Sequence, residues 1–84
     1  MENGYAKAIQ LTKCYLKLGD LYKETKNFNA ALESYQAAYQ HAYHKEDKFK
    51  PACAIGSLHQ KLGNLKIAYR YFTECNLTEN IEIV

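Results

Sequence analysis

The chain is 84 residues long and 48% hydrophobic, enough for one small domain with little apolar surface to spare. Its 11 basic and 9 acidic residues leave a formal net charge of +2 spread along the sequence, which argues against the concentrated field that nucleic acid or an anionic membrane would need. No stretch approaches the roughly 20 apolar residues of a membrane span, and the start MENGYAKAIQ lacks the basic-then-apolar layout of a signal peptide, so a cytoplasmic location is expected.

One proline and four glycines stand among many good helix formers, which points to an all-α fold. In chain order, Leu11, Cys14, Tyr15, Leu18, Leu21 and Tyr22 recur at helical spacing and predict a first helix over residues 4–25. Phe28, Ala31, Leu32, Tyr35, Ala38, Tyr39 and Ala42 predict a second over 28–45. Ala52, Ile55, Leu58 and Leu62 predict a third over 49–62, with Asp47 as its cap or Pro51 in its first turn. Leu65, Ala68, Tyr69, Phe72 and Cys75 predict a fourth over 65–77. The connections Lys26-Asn27 and Gly63-Asn64 are too short for anything but antiparallel hairpins, and each Asn is placed to cap the helix that follows it.

A shift of 37 residues lays the first pair of helices on the second: Leu18 meets Ile55, Gly19 meets Gly56, Leu21 meets Leu58, Asn27 meets Asn64. Ala31 then meets Ala68, Tyr35 meets Phe72 and Ala38 meets Cys75, so small residues fall on small ones and aromatics on aromatics. A four-helix bundle has no reason to repeat its small and aromatic positions at one offset; a stacked helical repeat does. Gly19, Ala31, Gly56 and Ala68 are placed where helix axes approach closely, with aromatics filling the space beside them.

Tyr15, Leu18, Gly19 and Tyr22, followed by Ala31, Tyr35 and Ala38, resemble the tetratricopeptide repeat in order and spacing. The second copy follows it less fully, with Ile55 and Gly56, His59 where Tyr is usual, Ala68, Phe72, and Cys75 in place of a small Ala. The family period is about 34 residues, so the segment 44–50 carries the excess, and longer helices at that junction are expected. Such long repeats are similar to those of polarity and signalling scaffolds and of bacterial peptide-sensing regulators.

The resemblance implies a short superhelical array of two hairpins in one domain over 1–84: residues 4–44 with an extended first helix, 48–77, and a tail over 78–84. It also implies a non-catalytic scaffold that holds a peptide or helix of a protein partner on the concave face formed by the first helix of each hairpin. The candidate contact residues are Lys13, Leu16, Lys17, Asp20, Lys23 and Glu24, then Cys53, Ala54, Ser57, Gln60 and Lys61. The clamp by which some family members grip the C-terminal carboxylate of chaperones is mostly missing. Lys13 and Lys17 have the spacing of its last basic pair, but Leu16, Asp20 and Ala54 stand where it needs Lys or Asn.

Other chemistry is thinly represented. Cys14, Cys53 and Cys75 are odd in number with no C-x-x-C pair, and are read as reduced, buried thiols outside any disulfide framework or zinc site. His41, His44 and Asp47 share a helical spacing, but histidines near a helix C-terminus serve its dipole, and no metal or cofactor is expected. Neither a nucleophile with its base nor a phosphate-binding loop is readable, so no enzyme activity is expected. Tyr15, Tyr22, Tyr35, Tyr39 and Tyr69 fall on core stripes, which argues against a stacking platform for single-stranded nucleic acid and leaves Tyr5, Tyr43 and Tyr71 free for another role. Tyr5, Ala8 and Ile9 at one end and Ile81, Ile83 and Val84 at the other read as unfinished array ends, as in a piece excised from a longer array. Two alternatives follow from that: a homodimer through exposed ends, or a peptide-sensing regulatory domain.

Overall fold

The computed structural model describes residues 3–75. Four α-helices run in order as α1 Asn3–Glu24, α2 Phe28–His41, α3 Phe49–Lys61 and α4 Leu65–Cys75, with a single 3₁₀ turn at Glu46–Lys48. α1 packs on α2, α3 on α4, and α2 on α3. The chain is an all-α array of two stacked helical hairpins. The expected tail over 78–84, and the end of α4 at residue 77, lie outside the described residues.

The two hairpin turns are the same structure, and it is not the side-chain cap that was expected. The amide of Asn27 donates to the Tyr22 carbonyl at 2.8 Å and that of Lys26 to Lys23 at 2.9 Å; Asn64 donates to His59 at 2.8 Å and Gly63 to Gln60 at 3.1 Å. Each pattern closes a helix with a left-handed residue, Lys26 at φ 63° and Gly63 at φ 90°. The Asn27 side chain makes no capping hydrogen bond. Asn64 instead brings its side-chain amide within 3.2 Å of the His59 ring. The turn is thus secured from the helix that ends, not from the one that begins.

Ala31, Tyr35, Ile55 and Leu58 form the buried centre, drawn from α2 and α3. Full burial of Ile55 and Leu58 contributes about 1.5–3 kcal/mol each. Gly19 and Gly56 do what the repeat predicts. A Cβ on Gly19 would lie 2.6 Å from two ring carbons of Tyr35, and one on Gly56 would lie 3.0 Å from the Phe72 ring. Each hairpin closes by laying an aromatic ring on a bare stretch of helix.

The excess residues at the junction do not lengthen the helices. α2 stops at His41 because Ala42 turns extended, at φ −62° and ψ 132°, and the chain then crosses to the 3₁₀ turn that leads into α3. Lys48 ties this crossing back to α2, donating to the Tyr39 carbonyl at 2.8 Å with its ammonium 4.6 Å from the Tyr39 ring centroid. Pro51 sits in the first turn of α3 and is fully buried there.

The cysteines also differ from expectation. Cys53 on α3 and Cys75 on α4 are paired as a disulfide, with Cα atoms 5.3 Å apart, a separation that the bond requires. Cys14 is an exposed free cysteine, not a buried one. Spacing along the chain conceals the pairing, because it is the antiparallel return of α4 that brings residue 75 beside residue 53.

Several stripe residues are uncovered. Leu18 is 39% exposed, Leu21 56%, Leu65 65% and Tyr69 75%, and Leu62 is also exposed. Tyr71, expected to be free, instead packs its ring edge-on to Tyr39 at 6.1 Å and stacks on His59 at 6.3 Å. α4 is rotated so that Tyr71 faces the preceding hairpin and Tyr69 faces away from it.

Candidate interaction groove

The first helices of the two hairpins, α1 and α3, both line a series of clefts. One of about 390 Å³ is bordered by Ile9, Thr12, Lys13 and Leu16 of α1 and by Glu46, Asp47, Phe49 and Lys50 opposite. The next, about 410 Å³, shares Lys13, Leu16 and Lys50 with it and adds Lys17, Asp20 and Ala54. A third of about 390 Å³, at the far end, is bordered by Lys23, Ser57, Leu58, Gln60 and Lys61. The shared residues make the first two one trough, with Leu16 and Ala54 as a half-buried floor and lysine ammonium groups on the rim.

Of the residues singled out from sequence, Lys13, Leu16, Lys17, Asp20, Lys23, Ala54, Ser57, Gln60 and Lys61 line these clefts. Glu24 is exposed but borders none of them, and Cys53 is turned toward α4 by its bond to Cys75. Sequence reasoning did not place Ile9, Thr12, Glu46, Asp47, Phe49, Lys50 or Leu58 in the groove. Lys50 was there to be found, since the offset of 37 residues places it on Lys13.

The electrostatics along the trough are uneven. Among the described residues, Asp20 is the one acid that lines the central cleft, together with Lys13, Lys17 and Lys50. Its carboxylate accepts the hydroxyl of Tyr35, whose own titration is pushed far above the ordinary phenol range, first by burial and then by that hydrogen bond. The far cleft carries Lys23 and Lys61 with no acid among the described residues. Glu46 and Asp47 gather at the opposite end, where the Asp47 carboxylate accepts the His44 amide at 3.4 Å. The histidine rings are engaged elsewhere. His41 stacks on Tyr15 at 5.6 Å, and His44 lies 5.1 Å from both Tyr5 and Tyr43.

A family model for the tetratricopeptide repeat matches residues 12–40. That stretch carries a tetratricopeptide repeat. The match spans α1 from Thr12 onward and nearly all of α2, the hairpin whose sequence follows the pattern most fully. No curated protein and no solved structure matches the chain. Tetratricopeptide repeats serve in general as non-enzymatic scaffolds that bind protein partners. The second hairpin lies outside the match but repeats the first in its turn and in its glycine-to-ring contact.

Proposed function

We propose that the trough between α1 and α3 holds a segment of a protein partner that carries acidic side chains around an apolar one. The observation that supports this is the excess of lysines over acids along an apolar floor: among the described residues, Lys13, Lys17 and Lys50 line the central cleft with one carboxylate, Lys23 and Lys61 line the far one with none, and Glu46 and Asp47 are confined to the opposite end. An apolar side chain seated on Leu16 and Ala54 supplies contact area, while carboxylates meeting the rim supply orientation and speed of encounter.

The test is a titration with peptides graded in acidic and apolar content, followed by backbone amide shifts. Shifts are expected at Lys13, Lys17, Lys50 and Ser57, with affinity falling as salt rises. Changing Lys13 and Lys17 together to Glu should weaken binding at least about tenfold, equivalent to ~1.4 kcal/mol. Shifts confined to the outer faces of α2 and α4, or equal binding of basic peptides, would remove the groove from consideration.

A further inference from the structure

The offset of 37 residues pairs the part of α1 from Thr12 to Glu24 with α3, and the pairs differ sharply in burial. Pro51, Ile55 and Leu58 of α3 are each less than 2% exposed. Their counterparts are Cys14, which is exposed, Leu18 at 39% and Leu21 at 56%. Both helices have their own hairpin partner, so the difference comes from α2, which covers α3 while no helix among the described residues covers α1 in the same way. The mirror of this holds at the other end. Phe28 and Leu32 of α2 are half-buried against the core that contains Ile55 and Leu58, whereas their counterparts on α4, Leu65 and Tyr69, are 65% and 75% exposed.

The chain therefore presents the covering face on α4 and the covered face on α1. We propose that α4 of one copy docks on α1 of a second copy, repeating between molecules the packing of α2 on α3 within one. Leu65 and Tyr69 then take the places of Phe28 and Leu32, against Leu18 and Leu21 in the places of Ile55 and Leu58. Charge agrees with this pairing. Within the chain the Lys61 ammonium lies 5.9 Å from the Phe28 ring centroid; between copies Glu24 replaces Lys61 and meets the turn of α4 that carries Leu65 and Lys66. The two faces are different surfaces, so the contact is head to tail and does not close at two copies.

Sedimentation of the 84-residue chain across the micromolar to millimolar range tests this. The mean mass is expected to climb with concentration past that of a dimer. Leu21→Asp or Tyr69→Asp should each return the chain to monomer, and mixing these two variants should give a 1:1 dimer that grows no further, since each keeps one intact face. Circular dichroism checks that helicity is retained; Leu18→Lys or Leu65→Lys stands in for a variant that loses it. A monomer at every concentration overturns the proposal, and so does a ceiling at dimer that mixing the variants fails to restore.

Discussion

The two hairpins are one template used twice, and they secure the same contacts by different chemistry. The first closes with Tyr35, whose ring lies on Gly19 and whose hydroxyl donates to Asp20; the second closes with Phe72 on Gly56, with Ser57 in the place of Asp20. The first turns through Lys26 in the left-handed region, the second through Gly63. Where the first brings half-buried Leu16 and buried Ala38 to equivalent places, the second has Cys53 and Cys75 joined covalently. Geometry is what the repeat conserves; the bond that enforces it varies.

The covalent link offers the largest test of this contrast. Under oxidising conditions the unfolded, unreduced chain should show one reactive thiol, from Cys14, and reduction or Cys75→Ala should lower the unfolding free energy by about 3 kcal/mol for a sequence separation of 22 residues. Three reactive thiols before reduction would remove the second hairpin's distinguishing bond. Next in size is the glycine contact. Gly19→Ala should destabilise by about 2 kcal/mol through overpacking against the buried Tyr35, measured by denaturant unfolding. Gly56→Ala should cost clearly less, because the Phe72 ring is farther away and less enclosed, and the gain in helix propensity of about 1 kcal/mol offsets part of it. Equal costs would mean that the two ring contacts are equally tight.

The tyrosine hydroxyls sharpen the comparison further. Tyr35→Phe makes the first hairpin resemble the second and should cost about 1 kcal/mol in thermal or chemical unfolding. Tyr39, which donates to Glu74, gives a signature in pH. Burial, then that hydrogen bond and the charge of Glu74, raise its phenol from 10.0 to about 12. The folded chain keeps this proton after the unfolded chain has lost it, so the contribution is whole below pH 10.0 and declines as pH rises toward about 12. Tyr39→Phe should flatten that decline. An effect of the opposite sign is expected at the turn: Lys26→Gly should raise stability by about 1 kcal/mol by relieving a left-handed non-glycine residue.

Much of this was legible in the sequence because the repeat reports itself. Small residues and aromatics recurring at one offset marked Gly19, Gly56, Tyr35 and Phe72 as packing positions, but which ring lies on which glycine is seen only in the structure. What remained hidden has a physical pattern. An apolar stripe shows which face of a helix is sticky but not whether a neighbour covers it, so Leu18, Leu21, Leu65 and Tyr69 were placed in a core that they only border. The Cys53–Cys75 bond depends on the return path of α4, which spacing does not encode. The turns were assigned to Asn27 and Asn64 because a side-chain cap is visible in a sequence, whereas a left-handed Lys26 is not. In the groove, the lysines of α1 were accessible from helical position, while Lys50 needed the offset applied to Lys13.

The tether from Lys48 to Tyr39 has a further consequence. The residues that stretch the sequence period beyond the family's leave the stack as a bridge between α2 and α3 and are pinned to its side, so α2 and α3 remain in direct contact. Distance along the chain and distance along the array are thus uncoupled at this junction. It is the natural place for insertions to accumulate or to be engineered, since a longer bridge need not alter the pitch at which the hairpins follow one another.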